Sequence, residues 1–434
     1  MPETASRAGV PAARPVRVLP EVVMKRGSAV TASDLGLFLV WSNARGEDDQ
    51  VLDRAQTLFE VRGVHAIHWT PELVEQNAVR FCRGRLDPHL RKLLQERGDG
   101  EPVYLITAVD GAPRHEAETT SNGAAPVNAR FADLRRELRA CMGGGSRVHA
   151  AVSPAEVGRD LMLLLGTDPA TYLNENARSW NGRTTEIRRD LTGARGWGTP
   201  GELFHALNQA VRYVVMRNFE GLPHSLHVGS HEDVDLLTDD YPEMVAIMNA
   251  RPNVRCIPRW GGPYWVKISG QDMWFDLRFV GDRYYDPPWA RAILDRRVWN
   301  EAGFYAPCAE DYFETLAYHA VVHKPVLSAD YRQRLATMAS ALGRSGWESA
   351  ALEDPARVKA LLDEILQRRG CGYQRPRDVN VFYNFEATGH RWPRLRRKLA
   401  GLGRKALRVG YRVQRAVGER QGTARAALDQ GARA

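Results

Sequence analysis

Leu226-His-Val-Gly-Ser-His-Glu-Asp-Val-Asp-Leu-Leu237 is the stretch on which the reading of this chain turns. It reads as a strand, a tight Gly229-Ser230 turn and a second strand. Side chains in a strand alternate between faces, so Asp233 and Asp235 are expected to project together while Val234 and Leu236 enter the core. Two carboxylates side by side on an otherwise apolar strand repel each other, and a divalent cation would relieve that repulsion. The bland alternative is an acidic stripe facing solvent.

A third acid lies downstream. Tyr264 to Gly270 and Met273 to Val280 read as the two arms of a hairpin, with Phe275, Leu277 and Phe279 on one face and Trp274, Asp276 and Arg278 on the other. Beside the first pair, Asp276 would complete a nest of three carboxylates. A slip in register would bring Asp282 or Asp286 into its place. Asp239 and Asp240 are expected to do no more than cap the helix that runs through Ile247. The aromatics and Arg283 between Gly281 and Trp289 read equally as a wall for a base or sugar ring and as a loop covering the core.

Upstream, Thr199-Pro-Gly-Glu202 has the form of a capping box, and Leu203, Leu207, Val211, Val214 and Val215 recur at helical spacing, which predicts a helix up to Asn218. Helix, Gly-Ser turn, Asp-x-Asp strand and a lone acid on a later strand form a layout that resembles the nucleotidyltransferase fold. His231-Glu-Asp-Val-Asp-Leu236 also resembles the His-x-Asp-Ile-Asp-Leu string of the small antibiotic-modifying members of that superfamily. The likeness covers roughly residues 200–285.

The resemblance implies two-metal transfer. Asp233 and Asp235 would hold Mg2+ (or Mn2+) on the phosphates of a nucleotide-activated donor, and Asp276 would help a metal or base activate an acceptor hydroxyl. Gly229 and Ser230 would lie against a phosphate. Many members carry a longer, basic stretch between the turn and the Asp pair, and this chain does not. The same compact acidic turn occurs in the phosphocholine and ribitol-phosphate transferases that decorate surface polysaccharides, so the implied acceptor is a glycan or a small molecule. Two other readings stand beside this one: a nucleotidyltransferase acting on a small molecule or a protein, and a non-catalytic protein that binds membrane or nucleic acid.

Around this centre, strands at Leu35–Trp41, Val64–Trp69, Val103–Val109 and Arg147–Val152 alternate with helices at Asp48–Glu60, Thr70–Arg80 and Ser153–Leu165. This alternation predicts an α/β N-terminal domain over 35–166. A polar connector follows over 167–198, then an α+β nucleotidyltransferase-fold catalytic domain over 199–300, a helical annex over 301–390 and a basic amphipathic C-terminal helix within 391–434. The glycine turn Gly143–Ser146 precedes a strand, which suits a plain turn better than a phosphate loop. In the annex, His319 and His323 fall four apart on one helix face with Lys324 beside them. Three readings stay open there: packing, closure of a cleft with His323 and Lys324 turned to donor phosphates, and a zinc site that lacks a third ligand nearby.

Charge and cysteine usage bound the setting. A formal net charge of +8 gathers in good part after Trp392, where Leu395, Leu399, Leu402, Ala406, Val409, Val413 and Ala416 form an apolar seam among many arginines. That pattern points to an anionic membrane surface, with docking on the protein or nucleic acid as the alternatives. Five scattered cysteines without a CxxC pair argue against a disulfide framework and a zinc knuckle. Residues 1–34 read as a disordered leader without a secretory core, so a cytoplasmic address is expected.

Overall fold

The computed structural model describes residues 34–389 except 42–46, 85, 87, 97–100, 121–122, 143–146, 218, 223–232, 254–255 and 257–259. The leader, the basic tail, the Gly143–Ser146 turn and the Gly229-Ser230 turn lie outside the described residues.

The first sheet grows from the apolar runs picked out above. In chain order come β1 (Asp34–Val40), α1 (Glu47–Leu58), β2 (Glu60–His68), α2 (Val74–Phe81), α3 (Pro88–Glu96) and β3 (Val103–Asp110). A hairpin of β4 (His115–Thr120) and β5 (Gly123–Asn128) leads to α4 (Ala129–Cys141), β6 (Val148–Ala151) and α5 (Pro154–Leu165). The Ser153 hydroxyl accepts from the Glu156 amide at the start of α5, and Gly166 ends that helix at φ 72°, in the left-handed region glycine adopts without strain.

The stretch 167–198 does more than connect. It holds α6 (Pro169–Glu175) and β7 (Thr185–Arg188), and β7 pairs parallel with β2 to complete a five-stranded sheet of order β6-β1-β3-β2-β7. The polarity of β7 comes from its place at the sheet edge, where three of its four residues are exposed. Likewise, the polar run His115–Thr120 of the β4–β5 hairpin offers no apolar alternation to read.

The second sheet begins where the predicted long helix fails. Here α7 (Pro200–Ala210) stops at Val211, whose φ −132° and ψ 138° are extended, and residues 213–217 form β8 (Tyr213–Arg217). All five residues of β8 are buried, with Tyr213 and Val215 in one apolar cluster and Val214 and Met216 in another. A strand buried on both faces has an unbroken apolar run, so the spacing of Val211, Val214 and Val215 imitated a helix. Next come β9 (Asp233–Thr238), α8 (Tyr241–Met248), the short β10 (Arg251–Pro252), β11 (Gly262–Ile268) and β12 (Gln271–Phe279), giving the order β10-β11-β12-β9-β8. Asp240 caps α8 through the Glu243 amide, as expected. The remaining elements are α9 (Pro287–Asp295), the hairpin β13 (Val298–Asn300) and β14 (Phe304–Ala306), and the helices α10 (Ala309–Val322), α11 (Ala329–Ala341) and α12 (Pro355–Arg369).

One buried apolar cluster runs from Leu37 and Trp41 in the first sheet, through Leu161 and Leu207 on α5 and α7, to Val215, Leu236 and Phe275 in the second. The other face of the second sheet packs Val214, Met216 and Leu237 against α9–α12. A side chain that lies on this second face but past the end of the apolar packing is trapped between sheet and annex, and the carboxylates occupy that position. No helix among the described residues is long and apolar enough to cross a membrane.

Within the first sheet the His65 imidazole is 7% exposed and its Nε2 lies 2.8 Å from the Tyr172 hydroxyl. Burial pulls its pKa down to about 4. The fold therefore favours neutral His65, and the stability it contributes is lost as pH falls from about 6.5 through 4. Between pH 7 and pH 4 this group alone should lower the unfolding free energy by about 2–3 kcal/mol. The check is the titration of the His65 ring by NMR, and a midpoint near 6.5 would contradict it.

Candidate metal centre

The site is set by a parallel pairing. β9 and β12 run side by side with Asp235 opposite Asp276 and Asp233 opposite Trp274, so the register has not slipped toward Asp282 or Asp286. In-register residues of neighbouring strands share a face, as do residues two apart on one strand. Asp233, Asp235 and Asp276 therefore converge, each offering an oxygen within 4.8 Å of the others, and they are the only such group of potential metal ligands among the described residues. Val234 and Leu236 point into the core with 1% and 0% exposure, in keeping with the strand alternation.

Two arginines that the sequence reading gave no role frame these acids. The Arg217 guanidinium grips Asp235 with a fork, Nη2 donating to Oδ1 at 2.6 Å and Nε to Oδ2 at 3.2 Å. It also donates to the hydroxyls of Tyr285 at 3.1 Å and Tyr284 at 3.3 Å. Arg278 donates to Asp276 Oδ2 from Nη2 at 2.7 Å and from Nε at 3.1 Å, and its Nη1 donates to Asp378 Oδ2 at 3.1 Å. The Arg278 guanidinium lies over the Tyr284 ring, 4.7 Å from its centre. Arg217 was hidden because β8 read as helix, and Asp378 sits in a loop with no pattern around it. Arg278 was legible only as a neighbour of Asp276 on the same strand face.

Arg217 answers the Asp235 carboxylate, while Asp276 and Asp378 share the single Arg278 guanidinium. Burial pushes the Asp235 carboxyl up to about 7, with Arg217 pulling it down and Asp233 and Asp276 adding to the rise. Asp276 Oδ1 is buried with no hydrogen-bond partner. A buried acceptor left bare costs about 1–3 kcal/mol, more when charged, so an internal ladder of ion pairs does not account for this atom. The donors are all carboxylate oxygens, a set that favours hard cations such as Mg2+ or Mn2+ over zinc.

A cleft of about 410 Å3 opens onto the acids, bounded on the sheet side by Trp274 and Arg278 and on the annex side by His319, His323, Lys324 and Tyr331. Phe382, 46% exposed, stands at its edge with Asn380 and Val381. Lys324 thus faces the same space as the carboxylates. Of the segment 281–289, Tyr284 borders the cleft, while Tyr285 and Trp289 are buried against Tyr318 and Arg283 is exposed, so the segment mainly covers the core. Asp282 closes the turn by accepting from the amides of Phe279 and Tyr284, and Asp286 takes a hydrogen bond from Gln374. His319 and His323 belong to no group of three potential metal ligands among the described residues. No family model, curated protein or solved structure matches the chain.

Proposed function

We propose that this protein is a divalent-cation-dependent transferase of the nucleotidyltransferase type, moving a phosphorus-containing group from a nucleotide-activated donor to an acceptor hydroxyl. The observation that carries this reading is the convergence of Asp233, Asp235 and Asp276 at the floor of a cleft, with Asp276 Oδ1 buried and unpartnered. The three carboxylates would hold Mg2+ or Mn2+. Such a cation supplies neutralisation of phosphate charge and a lowered pKa for a bound hydroxyl or water.

The chain's own groups do the positioning. Arg217, anchored by two tyrosine hydroxyls, holds the Asp235 carboxylate in one orientation. Arg278 ties Asp276 on β12 to Asp378, fixing the acid beside Asp235 in the cleft. The half-buried Lys324 adds a positive charge on the annex side, suited to an anionic donor. Helices α10 and α11 cover the sheet face beside the acids and limit the approach of water to that side.

The substrate assignment rests on the resemblance: a nucleotide-activated polyol or sugar as donor and a glycan as acceptor, in the assembly of a surface polysaccharide. The basic seam after Trp392 would then hold the enzyme at an anionic membrane surface where a lipid-carried glycan is found. Thermal unfolding in Mg2+ with nucleoside triphosphates and nucleotide-activated sugars and polyols tests the donor class. A true donor at a hundred times its Kd should stabilise the fold by about 2.7 kcal/mol, and chelating the metal should remove the effect. Stabilisation by none of these compounds, or stabilisation indifferent to chelation, contradicts the proposal.

A further inference from the structure

Helix α10 ends inside the cleft, and its last residues raise a question that packing does not answer. His323 is 4% exposed, and neither ring nitrogen has a hydrogen-bond partner. Its ring is clamped by aromatics, with the Tyr284 ring centre at 4.0 Å and the Tyr318 ring edge-on at 5.4 Å. A phenylalanine or leucine would fill that space without burying two polar atoms, and buried polar groups in folded proteins are overwhelmingly paired. The neighbouring histidine shows the usual arrangement: His319 Nδ1 lies 2.6 Å from the Tyr284 hydroxyl. His323 instead borders the open space shared with Asp233, Asp235 and Lys324.

The surroundings say what kind of group belongs there. Burial first, and then the charges of Arg217, Arg278 and Lys324, keep the His323 imidazole neutral, one nitrogen donating and the other accepting. A cationic setting of this kind favours an anion as the partner of the donating nitrogen and works against the ring as a proton acceptor. The carbonyls at the end of α10 do not oppose it strongly, because Asn384 donates to Val322 O from its amide at 2.8 Å and to Val321 O from its side chain at 3.2 Å. Zinc is not the answer, since no third ligand accompanies His319 and His323 among the described residues.

We infer that His323 is a binding residue for the phosphate chain of the donor, its ring N–H donating to a phosphoryl oxygen beside Lys324. This rests on the transferase reading above and deepens it, because it separates a phosphate-holding wall on the annex from the metal-holding wall on the sheet. Loss of one hydrogen bond to a charged oxygen should weaken binding by roughly tenfold or more.

The test measures inorganic pyrophosphate binding calorimetrically to the full chain in Mg2+, with Mn2+ alone titrated in parallel. His323→Phe should weaken pyrophosphate at least about tenfold, His323→Gln should recover most of it through its amide N–H, and the affinity for Mn2+ alone should be the same in all three proteins. On the unaltered chain, the His323 ring nitrogen resonances should move when pyrophosphate is added, a readout that needs no variant to fold. Equal pyrophosphate affinity in His323→Phe and the parent chain, no pyrophosphate binding by the parent, or unmoved ring resonances overturns the inference. If the parent takes up no Mn2+ while pyrophosphate binding still depends on His323, the inference stands and the metal-dependent reading falls.

Discussion

Asp233→Asn should abolish Mg2+-dependent donor binding and lower transfer by roughly 100-fold or more while leaving the fold intact. The magnitude follows from the several kcal/mol of charge stabilisation that a correctly held cation contributes, each 1.4 kcal/mol being about tenfold in rate. The fold should survive because Asp233 is only partly buried, at the cleft end of β9. Asp235→Asn should lose the same metal dependence and also unfold more easily, by about 3–5 kcal/mol, because the Arg217 side chain is 4% exposed and would be left without its carboxylate. The two variants thus separate metal holding from loss of the Arg217–Asp235 pair. Urea unfolding with and without Mg2+ reads both quantities, and an Asp233→Asn protein that still gains stability from Mg2+ with donor would rule out the proposed ligand set.

Arg159→Met should be among the more damaging changes outside the cleft, costing about 1–3 kcal/mol. Arg159 on α5 is buried and spans the junction of the two halves. Its Nε donates to Glu243 on α8 at 2.8 Å, its Nη1 to Asp160 at 2.6 Å and its Nη2 to the Phe81 carbonyl at 2.5 Å. The guanidinium also lies over the Phe81 ring at 4.8 Å. Glu243 would keep Arg83 and Asp160 would keep His149, but the Phe81 carbonyl would lose the guanidinium that serves it. By contrast, Arg54 pairs with Glu137 at the surface with both side chains 43% exposed, so Arg54→Met should cost under about 1 kcal/mol. Urea midpoints for the two variants make the comparison, and similar losses would mean the junction is not held by this network.

The acids of the cleft were legible because strand alternation is a property of the local backbone. Once Asp233-Val-Asp-Leu236 is read as extended, the shared face of the two carboxylates follows without knowledge of the neighbours. Asp276 could be placed on a strand, but its meeting with Asp235 depends on the parallel pairing of β12 with β9, a long-range fact absent from the local pattern. Arg217 was illegible for the opposite reason. The apolar run of β8 is dictated by burial on both faces, and such a run carries no period that separates strand from helix. β7 was missed because an exposed edge strand with charged residues has the composition of a loop. Asp378, the second partner of Arg278, lies 100 residues away in the chain from it, so only the folded arrangement brings the two together.

The same reasoning explains what the sequence said correctly about boundaries. Ser153, Thr199 and Asp240 each bond the amide three residues on, because a short side-chain oxygen before a helix has few other partners. Capping is local and therefore readable, whereas the arginine frame around the carboxylates is tertiary.

Whether Asp233, Asp235 and Asp276 hold a divalent cation can be read from anomalous diffraction of crystals grown with Mn2+. A Mn2+ peak is expected among the three carboxylates, in contact with Asp276 Oδ1. A structure at the same Mn2+ concentration with no peak there, and with the Arg217–Asp235 and Arg278–Asp276 pairs as they stand now, would contradict it.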